Sequence, residues 1–294
     1  MPSLGLIRTI LREIFSTSYS ARIPEPDLVM DDPAKVAAFN QAGHENGVMA
    51  PVYLYNAAQV CEIVRPGDTV LDLGCGPANQ LAMIARLNPD TNFIGVDLSE
   101  EMLMRARTLV QEQGLDNVAF HKADISKLEG IADQSCDAVY STVVLHHLPT
   151  ITHLQATFEQ ITRVLKPGGG LYLVDFGHLK SEKSITYFAY QHQDRQPELF
   201  TADYLYSLQA AFQVSDFERA YQSSLAAFGK LHKMFPMHFM VAIKSPIRRA
   251  IDPTQALKLA ELRRRLSAYH ETDIADIIRL FRLGGLQSPL TRLH

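Results

Sequence analysis

Apolar positions set the plan of the chain. Leu4, Ile7, Leu11 and Ile14 recur at helical spacing, with Arg8 and Arg12 beside them. Asp31-Asp32-Pro33 reads as a helix start, a capping carboxylate ahead of a first-turn proline. Pro51 opens a second helix that turns Tyr55, Ala58 and Cys61 to Val64 inward, and Arg65-Pro66-Gly67-Asp68 ends it. From Thr69 the rhythm changes. Short apolar runs at Thr69–Leu73, Asn92–Val96, Val118–His121, Ala138–Tyr140 and Leu171–Asp175 read as strands. Helical patterns near Gln80–Leu87, Glu100–Gln113 and His153–Leu165 separate most of them. A helix near Ala202–Ala211 and strands at Val214–Tyr221 and Met237–Lys244 follow. Strand–helix alternation predicts a parallel sheet with right-handed crossovers, covered by helices on both faces. The last stretch is helical again, with one stripe through Leu259, Leu262, Leu266 and Tyr269. A second runs through Ile274, Ile277, Ile278 and Phe281 and stops at Gly284-Gly285. Three regions result: an N-terminal helical cap over 1–66, an α/β domain over 67–245 and a C-terminal helical extension over 246–294.

The 294 residues are 47% hydrophobic and 20% charged, enough apolar material for a full core. A net charge of -4 argues against a nucleic-acid binder. Cys61, Cys75 and Cys136 lack metal-ligand spacing, and so sparse a set suits a reducing, cytoplasmic setting. No metal site is expected. No apolar run is long enough to span a bilayer. The first helix resembles a targeting or membrane-surface segment in its stripe, but Glu13 and its low basic content favour a helix packed on the domain. Arg248, Arg249, Arg263, Arg264 and Arg265 make the C-terminal region locally positive. Glu261, Glu271, Asp273 and Asp276 interrupt them, as on a solvated helix face.

The chemistry concentrates at strand ends. In Val70-Leu71-Asp72-Leu73-Gly74-Cys75-Gly76-Pro77 an apolar strand runs into a glycine turn and then a helix, whose first amides are free donors. Asp97 ends the second strand, where a carboxylate can accept from two ribose hydroxyls or cap the next helix. Asn79 occupies the place of the third glycine of a dinucleotide fingerprint, which weighs against a nicotinamide oxidoreductase.

In order and spacing, "VLDLGCGPANQLA", "FIGVDLSEEMLMRAR", "FHKADISKL", "CDAVYSTVVLHHL" and "RVLKPGGGLYLVDF" resemble the core of the class I S-adenosylmethionine-dependent methyltransferases. The resemblance is good over about 67–178 and weaker to about 244. It implies a Rossmann-like, seven-stranded, mostly parallel sheet with one antiparallel strand near an edge, and S-adenosyl-L-methionine as cofactor. It also implies roles. Asp72, Gly74, Cys75 and Gly76 would shape the pocket of the methionine part. Asp97 would bind the ribose, with Leu98 and Met102 flanking the adenine. Asp124 would accept from the adenine amino group, with Ile125 beside the ring, and Ser141 would lie beneath the sulfonium. The departure is Ala78, where a glycine is common.

The expected activity is in-line methyl transfer to a small-molecule acceptor. A non-methylating enzyme of the same fold and a non-catalytic scaffold subunit are the alternatives. His147, whose ordinary pKa of about 6.5 suits a base, is the first catalytic candidate, followed by Asp175 and His178 at the end of the fifth strand. His192 and Asp194 lie in a polar segment. Tyr19, Tyr53 and Tyr55 are placed to close over the cofactor, but the first reading is core residues with one wet end; Met234, Met237 and Met240 with Phe235 and Phe239 suit an apolar acceptor pocket, with strand packing the first reading. Burying the terminal helices against a second subunit would give a homodimer.

Overall fold

The computed structural model describes residues 3–26, 29–44 and 46–292. Helices α1 (Leu4–Phe15), α2 (Pro33–Ala42) and α3 (Ala50–Cys61) precede the sheet. Then come β1 (Thr69–Leu73), α4 (Asn79–Leu87), β2 (Asn92–Asp97), α5 (Glu100–Glu112), β3 (Val118–Lys122), β4 (Cys136–Thr142), α6 (Ile151–Val164) and β5 (Leu165–Phe176). The chain continues through α7 (Glu182–Tyr190), α8 (Glu198–Ala210), α9 (Val214–Ser224), β6 (Lys230–Lys233), β7 (Met240–Lys244), α10 (Pro253–Arg264) and α11 (Ala268–Leu283).

The seven strands pair in the order β3-β2-β1-β4-β5-β7-β6. β7 runs antiparallel to both neighbours and the remaining pairs are parallel. Alternate residues feed opposite faces, as the two-residue period of a strand requires. Val70, Tyr140, Tyr172 and Val174 join the core shared with α3, α4, α7 and α11. Leu71, Leu73, Val139, Leu171 and Leu173 join the core shared with α6 and α9. α1, α3, α10 and α11 therefore share the core of the sheet, while α2 packs on α8 in a small cluster of Ala38, Ala42 and Phe200. The C-terminal stripe is covered from within the chain: Phe281 stacks on Tyr55 at 5.5 Å between centroids, nearly parallel.

Local signals account for most boundaries. Asp32 caps α2 by accepting from the Ala34 amide, and Pro33 opens the helix. Asp252 and Gln255 form a reciprocal capping box on α10. Three elements differ from expectation. Val214–Tyr221 is helical: its apolar residues Val214, Phe217 and Ala220 recur every third position and are buried on one helix face, and Gln213 with Asp216 caps the start. α7 and β6 were not anticipated. β6, Lys-Leu-His-Lys, is a polar edge strand whose sequence carries no alternating apolar signal. Among the described residues no helix is long and apolar enough to cross a membrane.

Arg248, Arg249, Arg263 and Arg265 are each paired with an acidic residue. Arg248 is largely buried against Asp68 at 2.6 Å, Arg249 pairs with Asp252, and Arg263 holds Glu271 at 2.9 Å.

Candidate active site

The chain leaves β1 outward to β2 and β3, then returns to place β4 on the other side of β1. Such a reversal opens a crevice at the carboxyl ends of the strands. A cavity of about 140 Å³ lies there. Asp72 and Gly74 reach it from β1, Asp97 from β2, Asp124 from the turn after β3, and Thr142 and Val143 from β4.

The glycine turn is sterically dictated. Gly74 has φ +75°, and a Cβ there would lie 2.3 Å from Val144 Cγ2. Ala78 closes the turn in the left-handed region at φ 64°, a conformation that favours glycine. Asp97 accepts from the Gly76 and Ser99 amides, both at 2.9 Å. An ionised carboxylate offers about four acceptor positions, so capacity remains toward the cavity. Burial raises the Asp97 carboxyl, and these amides oppose the rise. Burial also lifts Asp72 to about 8, with the Asp97 charge adding and the Tyr140 phenol opposing. Asp124 is held by the Ser126 amide and hydroxyl at 2.8 and 2.7 Å and by Lys127 at 3.1 Å. Burial pushes its carboxyl up, but these partners together hold it below the usual range.

The donor set suits a zwitterionic nucleoside. Gln80, in the first turn of α4, accepts at Oε1 from the Thr142 hydroxyl at 2.7 Å, while its buried Nε2 has no partner. A buried amide donor on a cavity wall calls for an acceptor such as a carboxylate. Asp72 faces the same space as an acceptor for an ammonium, and Asp97, Leu98, Met102, Asp124 and Ile125 line the remainder. S-adenosylmethionine carries those groups: an amino-acid end, a ribose diol and an adenine.

A second, mostly apolar cavity of about 540 Å³ adjoins the first. Phe39, Met49, Val143 and His147 line both and form the wall between them. Val143 stands at φ 56°, held by its amide to Val174 O at 2.8 Å. A β-branched residue in that region is strained, and such strain collects at sites of function. Phe176, Phe188, Phe200, Tyr204 and Phe239 supply aromatic surface, with Met234 and Met240.

Beside the dividing wall lies a chain of titratable groups. Asp175 Oδ1 meets His146 Nδ1 at 2.8 Å. Glu25 Oε1 is 3.7 Å from His146 Nε2, and Glu25 Oε2 is 3.0 Å from His147 Nδ1. Ser207 donates to Glu25 at 2.9 Å. Arg22 fixes the segment carrying Glu25: it donates to the carbonyls of Ala210, Pro149, Leu148 and His146 and lies over the Phe212 ring. Burial disfavours a charged His147, but the Glu25 carboxylate outweighs it and raises the imidazole above its ordinary value. Burial raises Glu25 too, yet His147 and Ser207 bring it below the usual carboxylate range. Asp203, also on the large cavity, is lifted to about 6 by burial and by Glu25. Glu25, His146 and His147 place one ligand atom each within 4.8 Å of one another, a set a transition metal can use. The contacts already made among them account for the arrangement without one.

Several expectations need correction. Ser141 is fully buried and donates to Leu73 O at 2.8 Å, so it buttresses β1 and does not line the cavity; Thr142 and Val143, one and two residues on, do. Asp175 is fully buried behind His146 and also accepts from the His146 and Phe176 amides, so it cannot touch an acceptor. His178 is turned toward Ser20, donating from Nε2 to the Ser20 carbonyl oxygen at 2.9 Å, and lines neither cavity. Tyr53 lines the smaller cavity, whereas Tyr55 is core. His192 reaches the large cavity, paired with Asp273 at 3.2 Å; Asp194 pairs with Arg195 on the outside. Met237 is core and Phe235 is exposed, while Met234, Phe239 and Met240 face the cavity. Gln80, Arg22, Glu25 and Asp203 were missed. Only Gln80 had a local signal, its place in the first turn after the glycine loop.

A Rossmann-like sheet with a cavity at its switch point and acidic residues at successive strand ends defines a nucleoside-binding α/β enzyme. The sequence narrows this. Residues 65–225, more than half of the chain, match the methyltransferase domain family. The chain belongs to that family, the class I S-adenosylmethionine-dependent methyltransferases. Its relatives include arsenite methyltransferase of Halobacterium salinarum, 38% identical over 113 residues, which are 38% of this chain and 28% of that one. Another is 27-O-demethylrifamycin SV methyltransferase of Amycolatopsis mediterranei, 37% identical over 114 residues, 38% of this chain and 40% of that one. The chain thus spans less than half the length of these relatives. In fold it is similar to an S-adenosyl-L-methionine-dependent methyltransferase from Methanococcus maripaludis described as putative, with a TM-score of 0.52 and 18% identity over 79% of this chain and all of that one. It is also similar to a SAM-dependent methyltransferase from Aquifex aeolicus, with a TM-score of 0.51 and 18% identity over 74% of this chain and 98% of that one.

Proposed function

We propose that the protein transfers a methyl group from S-adenosylmethionine to a hydroxyl of a largely apolar small molecule, with His147 as the base. The observation that carries this is His147 itself. It belongs to the wall between a polar nucleoside cavity and an apolar one, and Glu25 grips its Nδ1. In this reading Asp72 and Gln80 hold the amino-acid end of the cofactor, Asp97 the ribose, and Leu98, Met102, Asp124 and Ile125 the adenine, with Gly74, Cys75 and Gly76 forming the floor. Bound there, the cofactor would supply an electrophilic methyl carbon on a sulfonium, whose sulfur would keep the bonding pair as leaving group.

The chain's own residues do the rest. Glu25 accepts a hydrogen bond from His147 Nδ1–H and so leaves Nε2 free to take the acceptor's hydroxyl proton, as in other carboxylate–imidazole pairs. The carboxylate then offsets the charge of the imidazolium that forms. A phenol or enol is weakly acidic, and a positioned base typically contributes 10²–10⁴-fold. The aromatic walls around Phe176 and Phe239 exclude water and orient the acceptor, whose alignment is worth on the order of 7 kcal/mol or more in well-oriented cases. Asp175 acts through His146 as a positioning residue. Relatives named for 27-O-demethylrifamycin SV, sterols and arsenite agree with a small-molecule acceptor. In this reading the protein works in the cytoplasm, a reducing setting that suits its three free cysteines.

Methyl-labelled cofactor incubated with a panel of lipophilic phenols tests this, with products identified by mass spectrometry. Labelled methyl ethers support the reading. Cofactor consumed without methylated product would point to the non-methylating alternative, and no adenosylhomocysteine binding would point to a scaffold.

A further inference from the structure

α1 is amphipathic in the reverse of the usual sense. Its inward face carries Leu6, Thr9 and Glu13, and Glu13 is buried because it accepts from the Lys180 and Ser181 amides at 2.8 and 3.1 Å. Its outward face carries Leu4, Ile7, Leu11, Ile14 and Phe15, which are 40% to 77% exposed. A helix on a soluble domain normally turns its apolar stripe to the core. Contiguous exposed apolar surface of this kind marks an interaction site.

The charges favour one occupant. Arg8 is exposed beside the stripe, whereas Arg12 is half-buried with its Nη1 shielded from solvent. Lys180 reaches the carbonyl of Ser16 at the helix end, at 2.9 Å. Glu13, the helix's one acid, is turned inward, so its outer face presents apolar and cationic groups only. That combination suits an interfacial helix lying in the headgroup region of an anionic bilayer. A second copy of the chain, docking stripe to stripe, would bring like charges together. The helix is also part of the cavity wall: Ser3, Gly5 and Leu6 line the large apolar cavity, and Ser3 Oγ meets Tyr187 OH at 3.2 Å across it.

We propose that α1 seats the protein on an anionic lipid surface and that the acceptor, a lipid-soluble molecule, passes from that surface into the large cavity beside α1. The second half rests on reading that cavity as the acceptor site; the first half does not.

The chain contains no tryptophan, so Leu11→Trp installs a single reporter on the exposed stripe. Vesicles of phosphatidylcholine doped with phosphatidylglycerol should shift its emission to the blue and float the wild-type protein. Pure phosphatidylcholine should do so less, and added salt should weaken the effect. Ile7→Asp with Leu11→Asp changes only exposed side chains. It should lower vesicle partitioning by roughly an order of magnitude or more and leave adenosylhomocysteine affinity and thermal stability unchanged. Methyl transfer to a vesicle-embedded phenol should fall with it, while transfer to the same phenol in detergent should not. Absence of the blue shift on mixed vesicles, or equal flotation of the double variant, overturns the proposal. So does a wild-type dimer that the double variant converts to monomer, which would give the stripe to a second copy. Vesicle binding with no methyl transfer under any condition keeps the docking and overturns the methyl-transfer reading instead.

Discussion

Glu25 Oε2 stands 3.0 Å from His147 Nδ1, although 121 positions of sequence separate a loop ahead of α2 from the turn after β4. The contact sets the pH at which His147 is a free base. Its imidazole must be neutral to accept a proton, and Glu25 raises its pKa against the opposing effect of burial. The acidic limb of the rate profile should therefore lie above the ordinary imidazole value of about 6.5. In Glu25→Gln, burial acts with less opposition and the limb should move to lower pH. A limb that stays in place under that substitution would remove Glu25 from the proton path.

Replacing His147 itself by Ala should lower kcat by about 10²–10⁴-fold, the range of a lost general base. Adenosylhomocysteine affinity, read by calorimetry, should change little, because the nucleoside cavity keeps its acidic residues. A large loss of affinity with kcat intact would make His147 a cofactor-binding residue only.

The cofactor cavity makes a separate prediction. Asp97→Ala removes the carboxylate that holds the Gly76 and Ser99 amides and faces the cavity. Adenosylhomocysteine binding should weaken by about 1.5–3 kcal/mol, the worth of charge-assisted hydrogen bonds. Unchanged binding in a variant that unfolds at the wild-type temperature would exclude the ribose role.

What could be read from the sequence depended on how local the determinants were. Strand ends carrying Asp72, Asp97 and Asp124 were legible because each motif is contiguous and the parallel sheet gathers those ends on one rim. Ser141 was misplaced by a strand's two-residue alternation: it points under β1 while Thr142 faces the cavity. Glu25 and Arg22 sit in an extended segment with no periodicity. Their importance comes from contacts across more than a hundred residues, to His147 and to the carbonyls of 146, 148 and 149. The stripe on α1 was legible, but its direction was not, because a helical period tells which residues share a face and not which way that face turns.

Ala78 offers a test of backbone strain. The sequence departs here from the glycine common in this turn, and the residue adopts φ 64°. An L-residue in the left-handed region costs about 1–2 kcal/mol, whereas glycine costs roughly 0.5–1 kcal/mol in unfolded-chain entropy. Ala78→Gly should therefore raise the unfolding free energy by up to about 1.5 kcal/mol, measured by urea titration. A clear loss of stability would show that packing of the buried Ala78 methyl outweighs the strain.

The Glu25–His147 pair also predicts how stability depends on pH. The His147 pKa is raised in the folded state. Its contribution is therefore fully present below the unfolded value of about 6.5 and is lost as pH rises through the folded value. The Glu25 pKa is lowered. Its contribution is present above the unfolded value of about 4.3 and is lost as pH falls through the folded value. Both describe one ion pair, so they are not additive, and the partly exposed imidazole limits its size. Wild type should exceed Glu25→Gln in unfolding free energy most between about pH 4.3 and 6.5. The difference should shrink on either side, as one partner or the other loses its charge. Urea titrations across that range decide it, and a difference that keeps growing above pH 8 would show that the stabilising contact of Glu25 is not its charge on His147.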